Sequence, residues 1–530
     1  MITITKSPRG RYCVISGQLT EIAVNLLDEM LSCQKKGVEY SQKYKLGLWD
    51  GKIHMLKAYP LKNEYIFPAG ALYDVCSLLT LLRIEYKVEV VNNNYTKCGF
   101  EWKTHKQLYD YQEDILNRII EQDGSGVVEM PTGAGKTLTA IKYAQRLDLP
   151  FMVLVHRAEL FDQWRTEIKN TLGIEPTMIG DTASAKKIRA AIKKAEKEIV
   201  KVEAQHAKEI GKPFPKLKDY PYEADKIKII ENDVDAKEAI ANSQCCICMV
   251  QTLHSFMKDR KSALRRLDIP VLIVDECHTA PADTVFDVIY HCTCNYTLGL
   301  SATVGRNDGL EKKITAVIGP RVESMNVEQL VERKILARPK FYMLYPDVPM
   351  EYASRFAYYD KPNYQTVYTD CITLNMERNQ LIADVAKHFM DGEHQIYIHV
   401  TQINHGEILQ NMIPGSVVVF GTSSDRKQII EDYRNGKIKC LISTLLKEGV
   451  SIPSIDVLIY AAGGKSEIST IQTIGRALRI KEDGRDAIVI DVYDAVEAYL
   501  MEHSRERIKT YDKFYGKLFK PKYIRNVGEL

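Results

Sequence analysis

The spacing of apolar residues divides the chain into three stretches. From residue 1 to about 100, short strand-like runs (RYCVISG, KVEVV) interleave with segments of helical spacing (LTEIAVNLLDEMLSC, GALYDVCSLLTLL). That mixture predicts a small α+β domain. From 101 to 325, runs that are apolar throughout (VVEM, FMVLVH, CICMVQ, VLIVDE, TLGLSAT) alternate with helical segments. A strand apolar on both faces belongs in a parallel sheet covered by helices on both sides. A second series (QIYIHV, SVVVF, CLISTL, VLIYAA, AIVIDVY) repeats the pattern between 326 and 498. The predicted fold class is α/β: two tandem parallel-sheet domains preceded by a small N-terminal α+β domain.

Three segments stand outside this rhythm. Residues 181–243, which include AKKIRAAIKKAEKEIVKVEAQHAKEIG, are charged and helix-prone, which predicts a helical insertion in the first α/β domain. Residues 499–530 are basic and aromatic, with His503, Arg507, Tyr511 and Tyr515 on one helical face. That face suits packing on the second domain or tracking DNA. Near the start, GLWDGKIHML reads as two short strands joined at Asp50-Gly51. Lys43, Lys45, Lys52, His54 and Lys57 surround Trp49, which suits phosphate contact with stacking, or a small core around the indole.

Composition narrows the class. The chain has 530 residues, 45% hydrophobic and 27% charged, with a formal net charge of +3. That balance is ordinary for a globular protein and leaves nucleic acid open. No apolar run approaches the roughly 18 residues needed to span a bilayer. The opening MITITKSPRGRYCVISG lacks the apolar core of a signal peptide. A cytoplasmic protein, in the host cytoplasm if phage-encoded, is expected. Cys245, Cys246, Cys248, Cys292 and Cys294 have C-x-C rather than C-x₂-C spacing, and read as buried reduced thiols on strands.

Three motifs carry chemistry. MPTGAGKT follows VVEM and opens a helix: Pro131, Thr132, Gly133, Ala134 and Gly135 form a phosphate loop with Met130 in place of its usual first glycine. Lys136 would reach the β- and γ-phosphates of ATP, and Thr137 would ligate Mg²⁺. VLIVDECH ends an apolar strand in two acids. Asp275 would help hold Mg²⁺ and Glu276 would activate water. QTIGRALR is expected to open a helix, with Arg476 and Arg479 on one face suited to a transferring phosphoryl group, beside Gln472.

In this order the motifs resemble those of superfamily 2 DExH helicases. Tyr111-Gln112 lies where that superfamily often has an adenine-contacting glutamine. VHRAELFDQW, VQTL, SATVGRNDG and STLLKEGVSIPSID are similar to its motifs Ia, Ib or Ic, III and V, with Gly449 joining the nucleotide set. Ser451 departs from the Asp that motif V often has. The resemblance implies two RecA-like domains with ATP in their cleft. It also implies nucleic-acid contacts from Arg157, Gln163, Gln251 and Thr252, and from Thr401, Thr444 and Lys447. GLWDGKIHML with IFPAGALYDVCSLL, then ERNQLIADVA, KSEISTIQTIGRALR and VIDVYD, resemble UvsW-type recombination and branch-migration helicases of tailed phages. That implies action on single-stranded and branched duplex DNA, and on RNA in R-loops. Replication and recombination proteins are the implied partners. Trp49 and Lys52 would sit in a duplex-binding domain. SATVGRNDG equally resembles the motors of restriction enzymes or XPB-like translocases, and an RNA-directed helicase is the further alternative.

Overall fold

In a computed structural model, the described residues are 2–7, 10–35, 37–90, 94–157, 159–180, 232–258, 267–279, 283–302, 310–323, 325–347, 363–421, 423, 425–444, 455–481 and 483–530, with isolated positions between 190 and 230. Contacts divide the chain into two units: Met1–Met130 with Gly135–Ser324, and Pro131–Ala134 with Met325–Leu530.

The first apolar series becomes a sheet of seven parallel strands. Their order is Thr177–Ile179, Cys245–Met249, Phe151–Val155, Val271–Val274, Tyr296–Ser301, Gly126–Glu129 and Arg321–Glu323. The central strands are buried along their whole length, which explains why they read as continuous apolar runs. The second series gives another parallel sheet, in the order Ser416–Val419, Cys440–Ser443, Ile396–His399, Val457–Tyr460, Ala487–Val492, Pro339–Leu344 and Lys522–Ile524. Both domains are RecA-like. Cys245, Cys246, Cys248, Cys292 and Cys294 are buried free thiols of the first domain, and burial raises all their pKa values.

The N-terminal domain has a five-stranded mixed sheet backed by the helices Glu21–Met30 and Leu72–Leu81. It shares a core with the first motor domain, since Leu310 and Ala316 pack in one cluster with Ile4, Phe67 and Leu79. Arg11, 2% exposed, donates to the carbonyls of Ile318 (2.5 Å) and Val317 (3.4 Å) at the C-terminus of the Glu311–Ile318 helix. A cation there meets the negative end of the helix dipole. A Cβ on Gly70 would lie 2.2 Å from the Thr315 carbonyl, so glycine permits this close approach.

One local expectation is corrected. The Asp50-Gly51 turn does not join two strands of a hairpin: residues 46–50 form no strand, and Lys52–His54 pairs antiparallel with Ser32–Gln34. The Trp49 indole N–H donates to the Lys52 carbonyl at 2.7 Å, which folds the segment before the turn onto itself. The 499–530 segment contributes a helix, Ala498–Tyr515, and an edge strand of the second sheet. Its His503, Arg507, Tyr511 and Tyr515 are buried, with both tyrosines against Phe341. The insertion at 181–243 lies largely outside the described residues, and ends in the helix Asp233–Ala241. Among the described residues no helix is long and apolar enough to cross a membrane.

Candidate active site

Strand order brings the motifs of the first unit together. Tyr296–Ser301 lies between Gly126–Glu129, which leads into the phosphate loop, and Val271–Val274, which leads into Asp275 and Glu276. The Ser301 carbonyl accepts from the Met130 N–H at 3.0 Å. On the other side, His278 Nδ1 lies 3.2 Å from Ser301 Oγ and 3.2 Å from Glu276 Oε2.

The loop has the backbone an anion site needs. Gly133 (φ 90°) and Gly135 (φ 84°) occupy left-handed conformations, and the Lys136–Leu147 helix starts directly behind them. Lys136 Nζ reaches back to the Met130 carbonyl at 3.2 Å, and Thr137 is half-buried in the first turn. Gln112 is buried and its Oε1 accepts from the Tyr109 N–H at 2.9 Å, while Tyr111 packs in the core. A Cβ on Gly135 would lie 2.4 Å from Gln112 Nε2, so the glutamine amide sits directly against the loop.

The acids differ in environment. Asp275 is pushed up to about 6, first by burial and then by the charge of Glu276. Burial also acts to raise Glu276, but its hydrogen bond to His278 and the charge of Lys136 hold it low. Lys136 lowers both groups, so its charge is felt at both carboxylates. Glu276 has φ 48°, a strained value for a side chain of this kind, with its N–H held by Asp275 Oδ1 at 3.0 Å. Trp164, fully buried, donates from Nε1 to Asp275 Oδ2 at 2.8 Å.

In the second unit, Gln472 and Arg476 are half-buried on the Glu467–Ala477 helix. The expectation for this motif is corrected: QTIGRALR closes the helix rather than opening it. Arg479 lies beyond the last turn, in an isolated bridge to Leu336, so it does not share a helical face with Arg476. The Ala337 N–H bond to the Leu478 carbonyl, at 2.9 Å, completes the exit from the helix. Burial lowers the Arg479 pKa.

This architecture matches known motors. Residues 105–306 match the family model "Type III restriction enzyme, res subunit", and 373–481 match "Helicase conserved C-terminal domain". The chain belongs to the superfamily 2 helicases. As such it is an ATP-dependent nucleic-acid helicase. Among its relatives is a DNA 3'-5' translocase XPB2 of Sulfurisphaera tokodaii, 22% identical, with 77% of this chain and 87% of that protein covered. Another is the ATP-dependent DNA helicase uvsW of Enterobacteria phage T4, 19% identical over 92% of each. The solved structure of the Type ISP restriction-modification enzyme LlaBIII bound to DNA shares the fold. Its TM-score is 0.50 at 15% identity, covering 79% of this helicase and 32% of that chain.

The remaining expected residues of the helicase lie on both units. Gln251 is exposed, and its amide donates to the His156 carbonyl at 3.2 Å, beside half-buried Arg157. Gln163 is exposed and Thr252 half-buried. Thr401 is exposed and Thr444 half-buried, both just past strands of the second sheet. Lys447, Gly449 and Ser451 lie outside the described residues. Trp49 is half-buried, Lys52 pairs with Glu29 at 2.5 Å, and His54 lies between Asp28 (2.7 Å) and Asp50 (2.9 Å). Those acids balance much of the positive charge expected around the indole. Trp164, His278 and Ser301 stood inside quoted motifs with no role assigned; Trp164 and Ser301 meet partners distant in sequence, Asp275 and Met130, whereas His278 meets Glu276 two residues away in its own motif.

Proposed function

We propose that this helicase couples ATP hydrolysis to the remodelling of branched DNA in phage recombination and replication, in the cytoplasm of the host. The observation that carries the motor reading is Ser301, whose carbonyl meets the phosphate loop and whose hydroxyl meets the partner of Glu276. Residues 130–137 cradle the phosphates, with Lys136 leaving the Met130 carbonyl for a phosphate oxygen. Gln112, next to Tyr111, sits against the loop and suits the adenine. The Thr137 hydroxyl and the Asp275 carboxylate are hard oxygen donors of the kind Mg²⁺ takes, and the ion when bound would neutralise charge on the phosphates. Glu276 accepts a proton from the attacking water, and His278 fixes its carboxylate. Gln472, Arg476 and Arg479, with Gly449, complete the nucleotide set, the arginines countering charge on the transferring phosphoryl group.

Arg157, Gln163, Gln251, Thr252, Thr401, Thr444 and Lys447 are proposed to touch the nucleic-acid backbone, which makes binding salt-sensitive and tolerant of sequence. Similarity to the ATP-dependent DNA helicase uvsW of phage T4 over 92% of both chains supports DNA as the substrate, and branched DNA, with RNA in R-loops, is the substrate proposed. Similarity to the archaeal DNA translocase supports a second reading, a DNA translocase without junction preference.

ATP-dependent strand displacement on a four-way junction, beside a simple tailed duplex, separates the two. The first reading expects a junction preference that is reduced in a folded Trp49→Ala variant. Equal rates on both substrates favour the translocase. A preference that survives the substitution moves branch reading away from Trp49 and Lys52.

A further inference from the structure

Within the second unit, a loop at residues 461–466 connects the Val457–Tyr460 strand to the Glu467–Ala477 helix that carries Gln472 and Arg476. Three side chains from separate elements hold its carbonyls. Arg378 donates to Ala461 at 3.0 Å, Tyr368 to Ala462 at 2.5 Å and Arg507 to Gly464 at 2.7 Å. Both arginines are buried and charge-locked, Arg378 to Asp494 at 2.6 Å and Arg507 to Asp491 at 2.8 Å. The middle holder is a neutral phenol. Gly463 (φ 62°) and Gly464 (φ 81°) give the loop backbone freedom at that point.

The same phenol reaches the opposite way. Tyr368 Oη also hydrogen-bonds Thr401 Oγ1, and Thr401 is exposed. A second bond parallels it, from Thr373 Oγ1 to Gln402 Oε1 at 2.7 Å. Between Tyr368 and Thr373 the chain forms a π-helical turn, Thr369–Thr373, a rare geometry that is frequent at functional sites. We infer that Tyr368 is a positioning residue that relays nucleic-acid engagement at Thr401 to the loop that launches the Glu467–Ala477 helix. This rests on the motor reading, with Thr401 facing nucleic acid.

Proton accounting gives the relay its direction. A phenol has one proton, and a carbonyl only accepts, so Tyr368 donates to Ala462 and Thr401 donates to Tyr368. Burial pushes the Tyr368 pKa up to about 12, which keeps that proton in place at neutral pH. The Thr401 hydroxyl likewise has one proton. When it turns to a phosphate oxygen, Tyr368 loses its donor. A phenol that no longer accepts is a poorer donor, so the bond to Ala462 weakens while the arginine anchors on either side persist.

The test measures ATP turnover of the full chain with and without saturating single-stranded DNA. In Tyr368→Phe and in Thr401→Val, the ratio of stimulated to basal turnover is expected to fall about fivefold. The double variant is expected to fall no further, because both changes cut one path. Thr401→Ser restores the hydroxyl and should restore the ratio. A merely destabilising substitution lowers basal and stimulated turnover together and leaves the ratio unchanged. Such a result in Tyr368→Phe overturns the relay, as do losses that multiply in the double variant. A change in Thr401→Val confined to half-saturating DNA concentration reduces Thr401 to a contact and also overturns it. If the wild-type chain hydrolyses ATP but DNA does not stimulate it, the relay falls and the ATP site stands. If turnover is absent, the motor reading itself fails.

Discussion

The indole N–H of Trp164 donates to Asp275 Oδ2 at 2.8 Å. The preceding residue on the same helix, Gln163, faces solvent, so adjacent positions of one helix serve the surface and the proposed ATP site. Trp164→Phe removes the donor and keeps most of the apolar volume. The expected result is a fall of about tenfold in kcat, equivalent to about 1.4 kcal/mol, with a higher Mg²⁺ concentration for half-maximal turnover. Magnesium titrations of steady-state ATPase check this.

Glu276 and Lys136 should fail in different ways. Glu276→Gln keeps the shape of the side chain but cannot accept a proton. It is expected to bind ATP and lose roughly 100-fold or more in turnover. Lys136→Ala is expected to lose nucleotide affinity and turnover while retaining some DNA binding. Fluorescent-nucleotide binding beside phosphate release distinguishes them, and DNA-stimulated hydrolysis retained in Glu276→Gln would sink the role given to that residue.

Arg11 joins the N-terminal domain to the first motor domain by capping the Glu311–Ile318 helix from 2% exposure. Arg11→Ala leaves those carbonyls without the guanidinium, and should cost about 2 kcal/mol of stability. Removing residues 1–95 should cost far more, because Leu310 and Ala316 lose their apolar cover. Calorimetry of both variants tests this. A truncated chain as stable as the full one would show that the shared core is dispensable.

His54 supplies a pH dependence. Its partial burial acts to lower its pKa, but hydrogen bonds to Asp50 and Asp28 outweigh this and raise it above 6.5. The folded state therefore holds the proton more tightly than the unfolded chain. The stabilisation is fully present below pH 6.5 and is lost as pH rises through the raised value. Because the site is largely exposed, the effect should stay below about 1 kcal/mol. Melting temperature against pH should flatten above pH 6.5 in His54→Asn, and an unchanged slope would count against it.

Local signals determined much of this protein. Unbroken apolar runs specified two parallel sheets, because a strand covered on both faces has no polar side to show. Gly133, Gly135, Lys136 and the Asp275-Glu276 pair marked the proposed ATP site, since phosphate loops and strand-end acids depend on residues close in sequence. Packing decided the rest. Trp164 meets Asp275 across 111 positions and Tyr368 meets Ala462 across 94, and no periodicity within a window reports such pairs. The same holds for Arg479, drawn off its helix by a bridge to Leu336, and for Lys52–His54, which pairs with Ser32–Gln34 rather than with its neighbour. Buried donors and acceptors must find partners wherever the fold brings them, so strand order and side-chain alliances follow from the whole chain's packing.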